Sequence, residues 1–93
     1  MSYLVKLDDP AKKEFAELPG YIRAQALQFL RLLRDQPRPS RAKELRGKPD
    51  IYRVWLAGSW RIAYYVDDDQ QMVLVLRVRR KEDIEYDSLV SPE

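Results

Sequence analysis

Residues 45–66 read LRGKPDIYRVWLAGSWRIAYYV, and the alternation of side chains in this stretch decides the fold. Large apolar or aromatic side chains recur at every second position on both sides of the pair Gly58-Ser59. Alternation across so short a break is typical of a β-hairpin. Each predicted strand carries an arginine, Arg53 or Arg61, on the face opposite its main apolar row. The stretch therefore predicts a hairpin with one apolar face and one face that carries positive charge.

Length and composition restrict the class of protein. The 93 residues suit one small domain spanning 1–93, and a hydrophobic content of 45% argues against disorder. The chain has neither cysteine nor histidine, which excludes disulfides, thiolate metal sites and the commonest general base. No apolar run approaches the length of a membrane span, and the N-terminus lacks the pattern of a signal peptide. These features predict a cytoplasmic protein.

Charge is divided unevenly along the chain. Residues 1–37 carry six basic and five acidic groups, residues 38–81 carry eleven and five, and residues 82–93 carry none and five. The net charges of these segments are +1, +6 and −5, which sum to the +2 of the whole chain. A basic middle segment predicts a polyanionic partner, and a merely solvated surface is the alternative. The acidic tail, residues 82–93, is expected to cover part of the basic surface.

The other elements follow from periodicity and from the positions of proline and glycine. Asp8 and Asp9 before Pro10 predict a helix start with an aspartate N-cap. Pro19-Gly20 ends that helix, and a second helix with an apolar stripe at helical spacing follows. Because the connection is short, the two helices form an antiparallel hairpin. The predicted strands are residues 3–7, 51–57, 60–66 and 72–79, the predicted helices are 10–18 and 21–35, and one helical turn is expected at 42–45.

The predicted fold is α+β, with the N-terminal strand and the two-helix hairpin packed on one face of a small, mostly antiparallel sheet in the order β-α-α-β-β-β. A sheet buries one face first, so the wholly apolar row of each strand is expected to contact the helices. Ile84 is expected to enter the core, which leaves Lys81 and Tyr86 near the other face. The predicted helix-side residues are Tyr52, Val54, Leu56, Trp60, Ile62, Tyr64, Val66, Met72, Leu74, Leu76 and Val78. The predicted residues of the opposite, open face are Ile51, Arg53, Trp55, Arg61, Ala63, Tyr65, Val73, Val75, Arg77 and Arg79.

The open face combines arginines with aromatic side chains. Arginine forms forked hydrogen bonds with phosphate and rings stack on unpaired bases, so single-stranded RNA is the predicted ligand. Trp55 either faces that ligand or packs beneath the first helix or the tail. Tyr65 either stacks on a base or pairs with Trp55 across the strands. The connection before the hairpin adds Lys43, Arg46 and Lys48, which either contact phosphate or only face solvent.

A nucleophile–base pair of the usual kind is missing, because the chain lacks histidine and cysteine. Carboxylates cluster at residues 67–69 and in the tail. A metal site at 67–69 needs further, distant ligands, and a solvated hairpin turn is the favoured interpretation. An enzyme built from this chain relies on lysine, arginine and tyrosine. RNA permits this, because its 2′-hydroxyl is an internal nucleophile and the protein only orients the substrate, stabilises a charged phosphorane and assists proton transfer.

Over nearly its whole length the sequence resembles the RelE/ParE superfamily of bacterial type II toxins. The order of the elements and three short motifs together carry the resemblance. They are Leu45-Arg46-Gly47 followed by Pro49-Asp50 and Tyr52-Arg53, then Trp60-Arg61-Ile62-Ala63-Tyr64, then Leu76-Arg77-Val78 leading to a basic pair and Asp83-Ile84. The resemblance implies a RelE-like mRNA interferase that cuts mRNA in the ribosomal A site through 2′-hydroxyl attack, without a metal or other cofactor.

The resemblance also implies site residues, one position at a time. Arg61 matches the strand arginine that holds the scissile phosphate, and Arg53 falls where a basic residue acts at the 2′-hydroxyl. Lys81 falls at the basic position that protonates the leaving 5′-oxygen, and Tyr86 lies close to the position of a substrate-orienting tyrosine. Arginine deprotonates poorly, so Arg53 is expected to stabilise charge; Trp55 stands where a second basic residue is expected. The RNA-binding set around these catalytic residues is Lys43, Arg46, Lys48, Trp55, Tyr65, Arg77, Arg79 and Arg80.

The implied partners are a cognate antitoxin, mRNA and the 70S ribosome with its 16S rRNA, and no membrane. Two alternatives remain, because a fold does not determine a function. In the first alternative, the chain is a ParE-like inhibitor of DNA gyrase without nuclease activity; the helical hairpin and the incomplete catalytic set favour this alternative. In the second, the chain is a non-toxic scaffold whose basic face only binds the antitoxin.

Overall fold

A mixed sheet covered on one face by two helices forms the fold. The computed structural model describes residues 2–89, apart from the side chain of Asp87. Within these residues the elements are β1 (Leu4–Leu7), α1 (Asp9–Ala16), α2 (Gly20–Leu33), β2 (Lys43–Glu44), β3 (Ile51–Leu56), β4 (Trp60–Asp67) and β5 (Met72–Arg80), then 3-10 turns at Lys81–Asp83 and Tyr86–Ser88. The strand order is β1-β5-β4-β3-β2, with β1 parallel to β5 and the other pairs antiparallel. The predicted α+β architecture is confirmed.

Side chains satisfy the backbone where α1 begins and ends. The carboxylate of Asp8 accepts from the N–H of Asp9 at 3.0 Å, which confirms the predicted aspartate N-cap. The helix stops at Ala16, two residues earlier than predicted. The guanidinium of Arg23 on α2 then donates to the carbonyls of Ala16 and Leu18, at 3.0 and 2.7 Å. This side chain therefore joins α2 to the last residue of α1, whose carbonyl has no helical partner, and to the connection between the two helices.

The helix-side core centres on Tyr64, which is completely buried. Its ring stacks on Tyr52 and meets Phe29 edge-on, with centroid distances of 5.7 and 6.0 Å. Its hydroxyl donates to the carbonyl of Pro37 at 2.9 Å, and burial raises the pKa of Tyr64 above its usual value. The stripe predicted for the second helix, Ile22, Ala26, Phe29, Leu30 and Leu33, is buried here as expected. Within the described residues, no helix is long and apolar enough to cross a membrane.

The predicted facing of β5 is wrong in the first half of the strand. Val73 and Val75 pack in the helix-side core, while Leu76 joins a second cluster on the open face. The reason is a β-bulge: Ala63 pairs with Arg77 but the next residue of β4 pairs with Val75, so Leu76 is an extra residue. The bulge shifts the alternation by one position, and the residues that follow it face as predicted. The residues whose predicted faces are exchanged are Met72, Val73, Leu74, Val75 and Leu76, with Leu74 packed against the open-face cluster.

The helical turn predicted at residues 42–45 is also wrong, because the chain there is extended. Lys43 and Glu44 pair with Arg53 and Tyr52 as a two-residue edge strand. The carboxylate of Glu44 accepts from the N–H of Asp50 at 2.9 Å and holds the following loop closed. Gly47 in that loop has a φ of 73°, a left-handed conformation that glycine adopts without a steric penalty.

The C-terminal segment lies across part of the open face. Leu89 is buried against Ile51, Ala63 and Leu76. The ammonium group of Lys48 donates to the carbonyl of Leu89 at 2.6 Å. The segment therefore covers the half of the open face near the start of β3. The predicted burial of Ile84 is confirmed, and residues 90–93 of the predicted acidic tail lie outside the described residues.

Candidate nucleic-acid interface

Two adjoining rows of side chains form the uncovered half of the open face. In the first row, strand register aligns Lys43, Arg53, Ala63 and Arg77. The second row aligns Trp55, Arg61 and Arg79. Residues directly opposite each other on antiparallel strands project to the same face. The structure therefore brings five predicted cationic residues and the predicted tryptophan together.

Arg61 lies at the centre of the second row and is only 2% exposed. Its Nη1 donates to the carbonyls of Gly58 and Trp60, both at 3.0 Å. The guanidinium carbon lies 4.0 Å from the ring centroid of Trp55. Carbonyls of the hairpin therefore bind one edge of the Arg61 guanidinium, and the indole of Trp55 covers its face.

Trp55 is 56% exposed, so the alternative in which it packs beneath the first helix or the tail is wrong. The alternative pairing of Tyr65 with Trp55 is wrong as well, since Tyr65 lies opposite Ile51. Tyr65 packs against the open-face cluster, and desolvation, with nearby carboxylates as smaller causes, raises the pKa of its phenol.

A carboxylate of α1 binds the arginines at the sheet edge. Arg77 donates to Glu14 at 2.7 Å through its Nη2, and Arg79 lies 3.1 Å from the same carboxylate through its Nε. The N–H of Val78 also donates to Glu14, at 2.9 Å. Glu14 raises the pKa of Arg77 above its usual value. Both arginines lie on the predicted face, but Glu14 draws their guanidinium groups towards α1.

The predicted C-terminal site residues lie at two different places. Lys81 follows the second row directly, because its N–H donates to the carbonyl of Ser59 at 2.8 Å in the β3–β4 turn. Its side chain is exposed. Tyr86 packs instead against the open-face cluster that includes Ala63 and Leu89. The structure therefore places Lys81 beside the Arg61 row and Tyr86 on the covered half of the same face.

The other predicted RNA-binding residues are divided between the two faces and the loop. Arg80 lies on the helix side, with its guanidinium carbon 4.9 Å from the ring centroid of Trp60. Arg46 is exposed in the loop before β3, and Lys48 of that loop is held by Leu89. Lys43 alone of the basic connection joins the first row, where it lines a groove with Arg41, Arg53, Val54 and Trp55.

Two charged residues of the structure escaped the sequence-based prediction. Glu14 lies three residues after Ala11 and four before Leu18, both buried, so an acidic residue next to the apolar stripe was the available signal. Arg38 lies between two prolines, and its ion pair with Asp68 spans thirty positions, which no local pattern indicates.

Arg38 forms a separate polar network at the far end of the sheet. It donates to both carboxylate oxygens of Asp68 at 2.9 Å, to the hydroxyl of Tyr52 at 2.7 Å and to Asp50 at 3.3 Å. Tyr3 donates to Asp68 at 2.7 Å. These bonds lower the pKa of Asp68, and Asp68 raises the pKa of Arg38. The network ties β1 and the segment after α2 to the β4–β5 turn, away from the two rows.

The uncovered rows offer positive charge, an aromatic ring and an ammonium group, which suit a phosphodiester next to an unpaired base. In the part of the chain that the structure describes, no three residues among histidine, cysteine, aspartate and glutamate are grouped so as to hold a metal ion.

Known proteins resemble this chain over most of its length. Residues 5–85 match the family model described as the ParE toxin of type II toxin-antitoxin system, parDE. The mRNA interferase toxin RelE of Escherichia coli strain K12 is 35% identical over 83 residues, which cover 88% of this chain and 86% of that protein. The crystal structure of isolated E. coli RelE has a TM-score of 0.78 at 34% identity, covering 94% of this chain and 93% of that one. The intact E. coli RelBE toxin–antitoxin complex contains a chain with a TM-score of 0.77 at 32% identity, covering 85% and 96%.

Proposed function

We propose that this chain, which belongs to the RelE/ParE superfamily of toxins from type II toxin–antitoxin systems, is a ribosome-dependent mRNA endonuclease. The proposal treats residues 1–93 as one toxin domain that acts in the cytoplasm. The observation that carries it is the pair of open-face rows, which bring Arg53, Arg61 and Arg79 onto one face with Trp55, next to Lys81. The similarity to E. coli RelE, named an mRNA interferase, supports the same activity.

The proposed reaction uses a nucleophile that the RNA supplies. The 2′-oxygen bonds to the adjacent phosphorus, and the bond from that phosphorus to the 5′-oxygen of the next nucleotide breaks. The 2′-hydroxyl loses a proton and the 5′-oxygen gains one, so the products are a 2′,3′-cyclic phosphate and a 5′-hydroxyl. This balance requires no oxidant, and arginines can supply the charge stabilisation for which other nucleases use a metal.

The proposed roles follow from position and chemistry. Arg61 stabilises the phosphorane oxygens, because a guanidinium forms forked bonds with phosphate. Arg53, in the adjoining row of the same face, assists at the 2′-hydroxyl by stabilising negative charge, since it does not readily give up a proton. Lys81 is exposed at the end of the same region and delivers the proton to the 5′-oxygen. Tyr86 orients the substrate from the covered half of the face.

Toeprinting of purified ribosomes on a defined mRNA tests the proposal. The wild-type protein is expected to cut in the A site, and Arg61→Ala is expected to lower the cleavage rate by about 100-fold or more, the usual effect of losing one transition-state donor. Arg31→Ala, which removes an exposed arginine of α2, is the matched control and is expected to cleave normally. Absence of A-site cleavage by the wild type, or undiminished cleavage by Arg61→Ala, would refute the proposal.

We further propose a cognate antitoxin encoded next to this chain. E. coli RelE has been crystallised in a complex with its antitoxin, and a chain of that complex has the same fold as the chain described here. Co-expression with the neighbouring reading frame is expected to restore growth and to yield a co-purifying complex. Growth that is arrested equally with and without that gene would contradict this part of the proposal.

A second candidate function is inhibition of DNA gyrase. The matching family model is described as a ParE toxin, and α1 and α2 form the helical hairpin on which this alternative rests. Inhibited supercoiling by purified gyrase, without mRNA cleavage on ribosomes, would favour it. If the protein is inactive in both the supercoiling and the mRNA-cleavage assay but binds the antitoxin, the non-toxic scaffold remains as the explanation.

A further inference from the structure

The arginine proposed to hold the scissile phosphate is closed to solvent. Arg61 is 2% exposed, and two carbonyls of the β3–β4 turn accept from one edge of its guanidinium at 3.0 Å. The indole of Trp55 lies over the guanidinium, with 4.0 Å between the guanidinium carbon and the ring centroid. A phosphate on the open face cannot form the forked contact while the indole remains there.

The position of Trp55 allows the indole to leave. It is 56% exposed, so its movement costs little packing. The edge strand β2 pairs with Tyr52 and Arg53 only. At Trp55, the described residues therefore place a neighbouring strand on the β4 side of β3 but none on the β2 side. The indole can rotate outwards towards the β2 side without meeting another strand.

We propose that Trp55 is a displaceable cover of Arg61, and that its indole moves from the guanidinium to an unpaired base when a phosphate of single-stranded RNA binds. The inference rests on the proposed function and assigns a positioning role within the same site. The indole exchanges a cation–π contact for base stacking, and these two interactions are of comparable strength. The guanidinium exchanges the indole for charge-assisted hydrogen bonds to phosphate.

This exchange selects among anions. A nucleotide in an unpaired strand offers a phosphate and a base together, so both partners of the opened pair are satisfied. Inorganic phosphate offers no base, and the displaced indole is then left in water. A base-paired duplex keeps its bases stacked on one another. Arg61 is therefore available to single-stranded RNA and withheld from other phosphates.

Chemical modification of arginine tests the cover without any substrate. The purified protein is treated with phenylglyoxal, and modification of each arginine is followed by peptide mass spectrometry, with the exposed Arg31 as internal reference. Wild-type Arg61 is expected to react at least about tenfold more slowly than Arg31. Trp55→Ala is expected to abolish most of that difference, since it removes the indole that lies over the guanidinium. Tyr21→Ala, which removes an exposed aromatic ring of α2, is the control and should change neither rate.

Trp55→Phe provides a second test in case the alanine variant does not fold. Phenylalanine keeps a ring but binds cations more weakly than tryptophan, so Arg61 is expected to react at an intermediate rate. Circular dichroism verifies that each variant is folded. Equal reaction of Arg61 and Arg31 in the wild-type protein, or no acceleration in either folded Trp55 variant, would overturn the cover.

Tryptophan fluorescence tests the transfer to a base. Trp60→Phe leaves Trp55 as the only tryptophan. This protein is titrated with a short RNA oligonucleotide, an abasic phosphodiester of equal length and inorganic phosphate. The RNA is expected to quench Trp55 and to bind about tenfold more tightly than the abasic strand, because base stacking is lost in the latter. Equal quenching and affinity for the RNA and the abasic strand would overturn the transfer.

These outcomes are separate from those of the toeprinting experiment. Neither measurement uses ribosomes, so the cover can be demonstrated in a chain that cleaves nothing. Conversely, A-site cleavage that depends on Arg61, combined with a freely reactive Arg61 in the wild-type protein, would refute the cover and leave the proposed function intact.

Discussion

Replacing Glu14 tests how the edge of the sheet is closed where β1 ends. The N–H of Val78 lies beyond the last residue of β5 that pairs with β1. A carboxylate of α1 therefore takes the place of a neighbouring strand, at 2.9 Å from that N–H. Arg77 and Arg79 lie on the same carboxylate at 2.7 and 3.1 Å. Glu14→Ala removes the acceptor from all three donors at once.

The loss of unfolding free energy in Glu14→Ala depends on which of the three donors water can solvate once the carboxylate is gone. The side chains of Arg77 and Arg79 are 31% and 38% exposed, so solvent re-solvates most of their charge and their loss counts little. The N–H of Val78 is part-buried, and a hydrogen bond to a charged partner contributes roughly 1.5–3 kcal/mol. We therefore expect Glu14→Ala to lower the free energy of unfolding by about 2 kcal/mol and Glu14→Gln, which keeps an oxygen acceptor, by about 1 kcal/mol.

Thermal unfolding followed by circular dichroism measures the effect. In a domain of this size, 1 kcal/mol changes Tm by about 4–8 °C, so Glu14→Ala is expected to unfold about 8–16 °C below the wild type. Glu17→Gln is the matched control, because Glu17 is an exposed carboxylate at the end of the same helix. Its Tm should stay close to that of the wild type. If Glu14→Ala and Glu14→Gln both behave like Glu17→Gln, the carboxylate does not close the sheet edge.

Three further replacements test other contacts. Asp68→Asn removes a carboxylate whose pKa is lowered in the folded protein by Arg38, so its contribution is present above the unfolded pKa of about 3.9 and lost as pH falls below it. The Tm difference between this variant and the wild type should be present at pH 7 and close towards pH 3; a difference independent of pH would contradict this. Tyr64→Phe should lower the free energy of unfolding in urea by about 1 kcal/mol, because it leaves the carbonyl of Pro37 without its donor. Arg23→Ala should cost a similar amount, about 1 kcal/mol, by freeing the carbonyls at the end of α1, and an unchanged urea midpoint would argue against that link.

The fold was predictable from sequence as far as local periodicity reaches. The hairpin of β3 and β4, the aspartate cap of α1 and the apolar stripe of α2 all follow from spacings within a few residues. Two features did not follow. The facing of β5 depends on a bulge that is defined by pairing with β4, and the two-residue β2 exists through its pairing with β3. Both depend on a partner strand, which the sequence of the element itself does not contain.

The sequence predicted which face of the sheet the central site residues occupy, but not which side chains they contact. Alternation places Arg53, Trp55 and Arg61 on one face, and the register of the strands sets Trp55 opposite Arg61, with Arg53 in the adjoining row. The burial of Arg61 under Trp55 required side-chain geometry, because alternation says nothing about which neighbour a long side chain touches. Similarly, Glu14 reaches Arg77 across 63 positions of the sequence, a distance at which no spacing rule applies.

The bulge in β5 gives this strand an unusual tolerance of length. In a regular strand, loss of one residue turns every later side chain to the opposite face. Here Leu76 is the surplus residue, so its deletion would restore strict alternation while Val75 and Val78 keep facing the helices and Arg77 keeps facing outwards. Deletion of Leu74 would instead exchange the faces of one half of the strand. Chains of this fold can therefore differ by one residue at position 76 and still present the same arginine row, at the expense of one apolar side chain in the open-face cluster.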